Sequence, residues 1–260
     1  MSELVLRDEN EGVLRLTLND APTRNSLSAA MIDALLDALS NSQARVIVIA
    51  SQGPAFSSGH NLKEITAHRS DADEGRPYFQ ALFDKCANLM LAISKHPAAV
   101  MAEVDGLASA AGCQLVATCD LATASDRASF CTPGVNIGLF CSTPMVAVSR
   151  ALARKHAMEL LLTGDVFNAD EALRMGLINR VTGQNELRKV TDEIARKIAS
   201  KSAAAIGIGK RTFDAQLEMN SSEAYAYMAR VMAENLLVDD AKEGIEAFIQ
   251  KRHPHWEHEI

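Results

Sequence analysis

Ala55-Phe56-Ser57-Ser58-Gly59-His60-Asn61-Leu62-Lys63 stands just beyond the apolar run Val46 to Ala50. Five consecutive apolar residues, four of them β-branched, predict a strand buried on both faces, so the nine-residue stretch is what the chain does on leaving a sheet. A second passage repeats the arrangement. Ala98 to Val104 predicts another strand, Asp105-Gly106 a tight turn, and the small residues Ala108, Ser109, Ala110, Ala111 and Gly112 lead into a helical segment over Cys113 to Cys119. Two strands that each leave through glycine and small side chains predict an α/β fold in which backbone approaches something closely.

Outward from this pair, Leu14, Leu16 and Leu18 alternate with Arg15 and Thr17, the period of a half-buried strand. Ser28 precedes Ile32, Leu35, Leu36 and Leu39, one helix face behind an N-cap. Phe79 to Ile93 predicts a second amphipathic helix that stops before Pro97. Further on, Asn168-x-x-Glu171 reads as a capping box, Gly176 as a helix stop and Ile178 to Val181 as a short strand. Nearly everything beyond is helical. With 260 residues and no linker or repeat, we read one α/β core over 1–190 and a helical C-terminal region over 191–260, with a soft boundary.

Twenty-six Lys and Arg against thirty-three Asp and Glu leave a net charge of −7, which argues against a nucleic-acid surface. The first ten residues are mixed and acidic, and Glu103 and Asp105 break the longest apolar run, so neither a secretory leader nor a membrane span is predicted. Cys86, Cys113, Cys119, Cys131 and Cys141 are odd in number and contain no C-x-x-C pair, which predicts reduced thiols and a cytoplasmic location. No metal site is expected, since His253, His255 and His258 fall in a polar tail. Gly207-x-Gly209-Lys210 lacks Walker spacing and reads as helix packing, and no G-x-S-x-G elbow exposes a serine.

The stretch 55–63 resembles the A-F-[SA]-[AS]-G-x-[DN]-[IL]-K motif of the crotonase superfamily, the enoyl-CoA hydratase/isomerase family. Asp105-Gly106 with Ala110-Ala111-Gly112-Cys113-Gln114 and Cys119-Asp120 resembles its N-G-x-x-x-G-G-G-x-E…CD signature, and further likeness runs in family order to Lys251-Arg252-x-Pro254. The resemblance implies a spiral of β-β-α units followed by helices that assemble trimers, singly or paired as hexamers. It also implies acyl-CoA thioester substrates, with coenzyme A entering as part of the substrate and no separate cofactor. Nucleic-acid and membrane partners are not expected.

In that family two backbone N–H groups hold the oxyanion of a thioester enolate, and positions 60 and 111 match them. On spacing alone, the small residues at 108–112 could equally serve only to pack a helix on a sheet. The resemblance places the nucleotide end of the substrate near Arg24-Asn25 and the loop Gly59, Asn61, Leu62 and Lys63, although Lys63 also reads as a solvated lysine. The family's two catalytic glutamates are replaced, one by Gln114 and one by Gly134. Neither replacement exchanges a proton near neutral pH, so ordinary hydration is expected to be impaired. Restoring both, Gln114→Glu with Gly134→Glu, is expected to raise it more than either change alone. His60 reads either as a solvent-facing loop histidine or, with Gln114 and Cys141, as a polar pocket similar to that of the family's methylmalonyl-CoA decarboxylase. Cys141 also reads as a packed thiol and Asn136 as bonded within its own turn. The remaining alternatives are a non-catalytic acyl-CoA-binding protein and, distantly, a serine hydrolase.

Overall fold

The computed structural model describes residues 3–256; the tail residue His258 lies outside them. The chain opens with β1 (Val5–Asn10) and β2 (Val13–Leu18), an antiparallel pair. A turn leads to α1 (Ala29–Ser40), where the Ser28 side chain accepts from the Met31 N–H and Met31, Ile32, Leu35 and Leu39 are buried. Next come β3 (Val46–Ser51), the short β4 (Ala55–Ser57), and two helices, α2 (Leu62–Ala67) and α3 (Arg76–Ser94). The pattern then recurs as β5 (Ala99–Val104), β6 (Leu107–Ser109) and α4 (Ala111–Thr118). It recurs again as β7 (Leu121–Ser125), β8 (Ser129–Cys131) and α5 (Ser142–Ala151).

In each unit the first strand enters one sheet and the second strand another. The larger sheet has the order β1-β2-β3-β5-β7-β10, parallel except for β1, where β10 is Arg180–Thr182. The smaller has the order β4-β6-β8-β9, with β9 (Phe167–Asn168) antiparallel to β8. This is the spiral of β-β-α units that the resemblance implies. Between β8 and β10 lie also α6 (Arg154–Thr163) and α7 (Ala169–Met175), the latter with the capping box of Asn168 and Glu171. The remaining helices are α8 (Leu187–Ala199), α9 (Ala203–Leu217), α10 (Ser221–Asn235) and α11 (Asp239–Ile249).

β3 is buried on both faces because each face has its own cover. Ile47 and Ile49 join the main core with residues of α1 and α3, whereas Val46 and Val48 join Met101 under Ala195 and Ala199 of α8. The boundary anticipated near residue 190 thus falls inside a helix that packs on the sheet. Arg15 of β2 ties that helix down from within, 2.7 Å from Glu103 of β5 and 2.6 Å from Asp192 of α8. Among the described residues no helix is long and apolar enough to cross a membrane.

Candidate active site

The two strand exits meet. A Cβ at Gly59 would lie 3.2 Å from the amide nitrogen of Ala111 and 2.9 Å from the carbonyl oxygen of Ser109. Gly112 makes the approach possible, because a Cβ there would fall 2.4 Å from the Ser57 carbonyl oxygen. The N–H of His60 and that of Ala111 have no acceptor among the described residues. Ala111 begins α4, so its amide is one of the donors that a helix leaves unsatisfied, at the positive end of the helix dipole.

Ala110, the residue before that donor, has φ 50° and ψ −113°. A side chain rarely adopts this conformation, and the cost is about 1–3 kcal/mol. Its own N–H donates to the Cys131 carbonyl at 2.9 Å, which fixes the turn against β8. Strain is thereby held at the point where the Ala111 amide is aimed.

The His60 side chain turns inward. Nδ1 lies 3.0 Å from the carbonyl oxygen of Leu27, and the Phe83 ring meets the imidazole at 5.3 Å and 83°. Nε2 is enclosed and has no partner. Burial lowers the imidazole pKa below its ordinary value of 6.5; the Leu27 carbonyl and then the Glu64 carboxylate act in the opposite direction. The solvent-facing reading of this histidine is therefore corrected. Glu64 itself accepts from the Tyr78 hydroxyl at 2.7 Å, and that phenol is pushed up to about 12 by burial first and by the carboxylate second.

Gln114 stands one turn after Ala111 on α4, 3% exposed, with Oε1 unpartnered. Gly134 is buried, and a Cβ there would meet the Leu139 carbonyl oxygen at 2.7 Å and the Cys141 sulfur at 2.9 Å. No side chain fits at this position without moving backbone, so the expected gain from Gly134→Glu is withdrawn on steric grounds. Cys141 is a packed thiol whose pKa is raised by burial. Asn136 donates to the Gly164 carbonyl at 3.4 Å, a bond reaching outside its own turn.

Of the residues assigned to the nucleotide end, two are occupied otherwise. Asn25 is fully buried: its amide donates to the carbonyls of Gln52 and Ala55 and its oxygen accepts from the Asp20 N–H, each at 2.8 Å. Asn61 caps α2 by accepting from the N–H groups of Lys63 and Glu64. Their side chains support the two loops from within. Arg24, Leu62 and Lys63 are exposed. The Ser58 N–H donates to the Arg24 carbonyl at 3.0 Å and the Leu27 N–H to the Gly59 carbonyl at 2.8 Å, so the turn that carries Arg24 is bonded to the loop that leads into α2 and Lys63. Sequence reasoning missed the Leu27 carbonyl and Phe83 as partners of His60. The first is a backbone atom distant in sequence, for which no residue pattern exists; the second was absorbed into the apolar face of α3.

The enoyl-CoA hydratase/isomerase family model matches residues 8–259. The chain is 49% identical over 254 residues to the human mitochondrial enoyl-CoA hydratase domain-containing protein 3, covering 96% of this chain and 82% of the relative. The rat protein of the same name is 47% identical over 254 residues, covering 96% and 83%. Among solved structures, an enoyl-CoA hydratase from Mycobacterium smegmatis superposes with a TM-score of 0.92 at 44% identity, covering 99% of this chain and 100% of the other. The human domain-containing protein 3 gives 0.92 at 45%, covering 97% and 100%. These names also overturn the cytoplasmic location drawn from cysteine usage, because the rat, mouse and human relatives are named mitochondrial and a reduced-thiol argument does not separate the two compartments. With its motifs in order, its two-sheet spiral and a family match over nearly its whole length, the chain belongs to the enoyl-CoA hydratase/isomerase family, the crotonase superfamily.

Proposed function

We propose that this chain is an enzyme acting on acyl-CoA thioesters, holding the thioester oxygen between the N–H groups of His60 and Ala111 while an enolate forms. The observation that carries the reading is the pair of unpaired amides on abutting loops, one of them at a helix start. Donors fixed in advance stabilise developing negative charge without reorganising, and each is worth about 10²–10³ in rate. The family's two-carboxylate hydration is not supported, since Gln114 and Gly134 offer no carboxyl group. That same absence favours, as a second reading, a protein that binds acyl-CoA without turning it over.

Arg24 and Lys63 supply cationic side chains for the phosphates of the coenzyme A moiety, the only cofactor chemistry the proposal needs. We assign 191–260 to oligomerisation as a trimer or dimer of trimers. α10 buries no residue, and Tyr225 and Phe248 are 81% and 84% exposed. A stable monomer by light scattering contradicts the assembly.

Calorimetry with acetyl-, crotonyl- and longer acyl-CoAs tests the ligand class, and binding to none of them rejects it. Crotonyl-CoA hydration is expected at least about 10²-fold below that of a two-carboxylate family member. A rate equal to such an enzyme contradicts the reading of Gln114 and Gly134.

A further inference from the structure

The motif Gly207-x-Gly209-Lys210 lies on α9, in the helical C-terminal region. A Cβ at Gly207 would stand 3.7 Å from Pro97, so α9 passes close to the segment between α3 and β5. The Lys210 side chain, only 12% exposed, reaches into that segment. Its ammonium donates to Asp120 Oδ2 at 2.6 Å, to the Ala98 carbonyl at 2.9 Å and to the Ile93 carbonyl at 3.4 Å. Three donors thus meet three acceptors, on the last turn of α3, the entry to β5 and the segment just beyond α4.

Asp120 completes the link. Its Oδ2 also accepts from the Val100 N–H at 2.7 Å, and its own N–H donates to the Val100 carbonyl at 2.8 Å, so the chain leaving α4 is bonded to β5 through side chain and backbone. Both helices that end at this cluster begin or pass at the donor loops. α4 starts with the Ala111 amide, and α3 holds Phe83 against the His60 imidazole. With eight residues α4 is about 12 Å long, so a displacement at its far end is carried to its first N–H. That first turn has reason to move, because the strained backbone of Ala110 persists only while its surroundings over-determine it. The bond from Ala110 to Cys131 restrains one end of α4, and the Lys210 cluster restrains the other.

Resting on the thioester reading above, we propose that Lys210 is a positioning residue for the donor pair: its ammonium registers α3 and α4 against β5 and so couples the aim of the Ala111 N–H to the seating of α9. Asp120 balances the charge, and the lysine therefore acts on the site through geometry. The C-terminal helices are by this route part of what makes the site competent.

Free coenzyme A and acetyl-CoA separate this role from a general loosening of the fold, since only the second has a thioester oxygen. In calorimetry on the full chain, Lys210→Met should weaken acetyl-CoA about tenfold, the worth of one hydrogen bond, and leave free coenzyme A unchanged. In infrared difference spectra with 13C at the thioester carbonyl, the band shift caused by binding should shrink in the same variant. Asp120→Asn, which keeps an acceptor for the Val100 N–H, should move both readouts in the same direction and serves if Lys210→Met does not fold. Independently of any variant, hydrogen exchange of the wild-type chain in sub-denaturing urea should show α4 amides losing protection together with those of α9. Folded variants that keep the acetyl-CoA to coenzyme A ratio and the band shift, equal weakening of both ligands, or α4 fully protected while α9 exchanges, overturn the positioning role alone. A wild-type chain that binds no acetyl-CoA, or binds it without a band shift, overturns the thioester reading and the role of Lys210 with it.

Discussion

Two residues carry opposite kinds of constraint. Ala110 keeps a side chain in a backbone conformation suited to glycine, and Gly134 lacks a side chain because none fits. Ala110→Gly should therefore raise stability by up to about 2 kcal/mol, the relieved strain less the extra freedom glycine gains in the unfolded chain. Urea unfolding at equilibrium checks it, and a loss of stability would mean that the turn is not strained. Gly134→Glu should cost about 1–3 kcal/mol through overpacking against Leu139 and Cys141, and adding it to Gln114→Glu should give no hydration beyond that of Gln114→Glu alone. A synergistic gain in the double variant would show that the Leu139 backbone yields. The sequence alone made Gly134 look like a lost carboxylate waiting to be restored; the space around it, built by residues 139 and 141, was not legible there.

At the scale of elements, legibility followed length and burial. β3, β5, α1, α3 and the capping box of α7 stand where periodicity and cap residues put them. β4, β6 and β8 are only three residues each, and β4 and β6 lay within stretches read as loops of small residues. Their pairing is decided across the spiral, by neighbours distant in sequence, and not by any local pattern. β1 was hidden because four of its six residues are exposed. Arg15 read as the polar half of an alternating strand, yet it is buried against α8 and paired with Glu103 and Asp192. Arg15→Ala should cost about 3–5 kcal/mol, because it strands buried carboxylate charge. Thermal or urea unfolding measures this, and a change below about 1 kcal/mol would mean that α8 is held by Ala195 and Ala199 alone.

The whole molecule should also report on its buried imidazoles. Burial is the largest influence on both His60 and His96, and it lowers each below 6.5. As pH falls through 6.5 the unfolded chain takes up protons that the folded chain refuses, so stability should decline from there downward and level off only below the folded-state values. Urea midpoints at about pH 7.5 and about pH 5.5 should differ in that direction, and His60→Gln should flatten the slope. The motif resemblance pointed to positions 60 and 111, and the structure brings the loops that carry them together. Which way the His60 ring turned depended on Leu27 and Phe83, which no motif contains.

The central claim concerns two amides and one oxygen, and vibrational spectroscopy observes that oxygen directly. In an isotope-edited infrared difference spectrum of acyl-CoA labelled with 13C at the thioester carbonyl, binding should lower the carbonyl stretching frequency relative to free ligand, because the N–H groups of His60 and Ala111 polarise the bond. A bound ligand whose carbonyl band stays at its solution frequency would contradict the account.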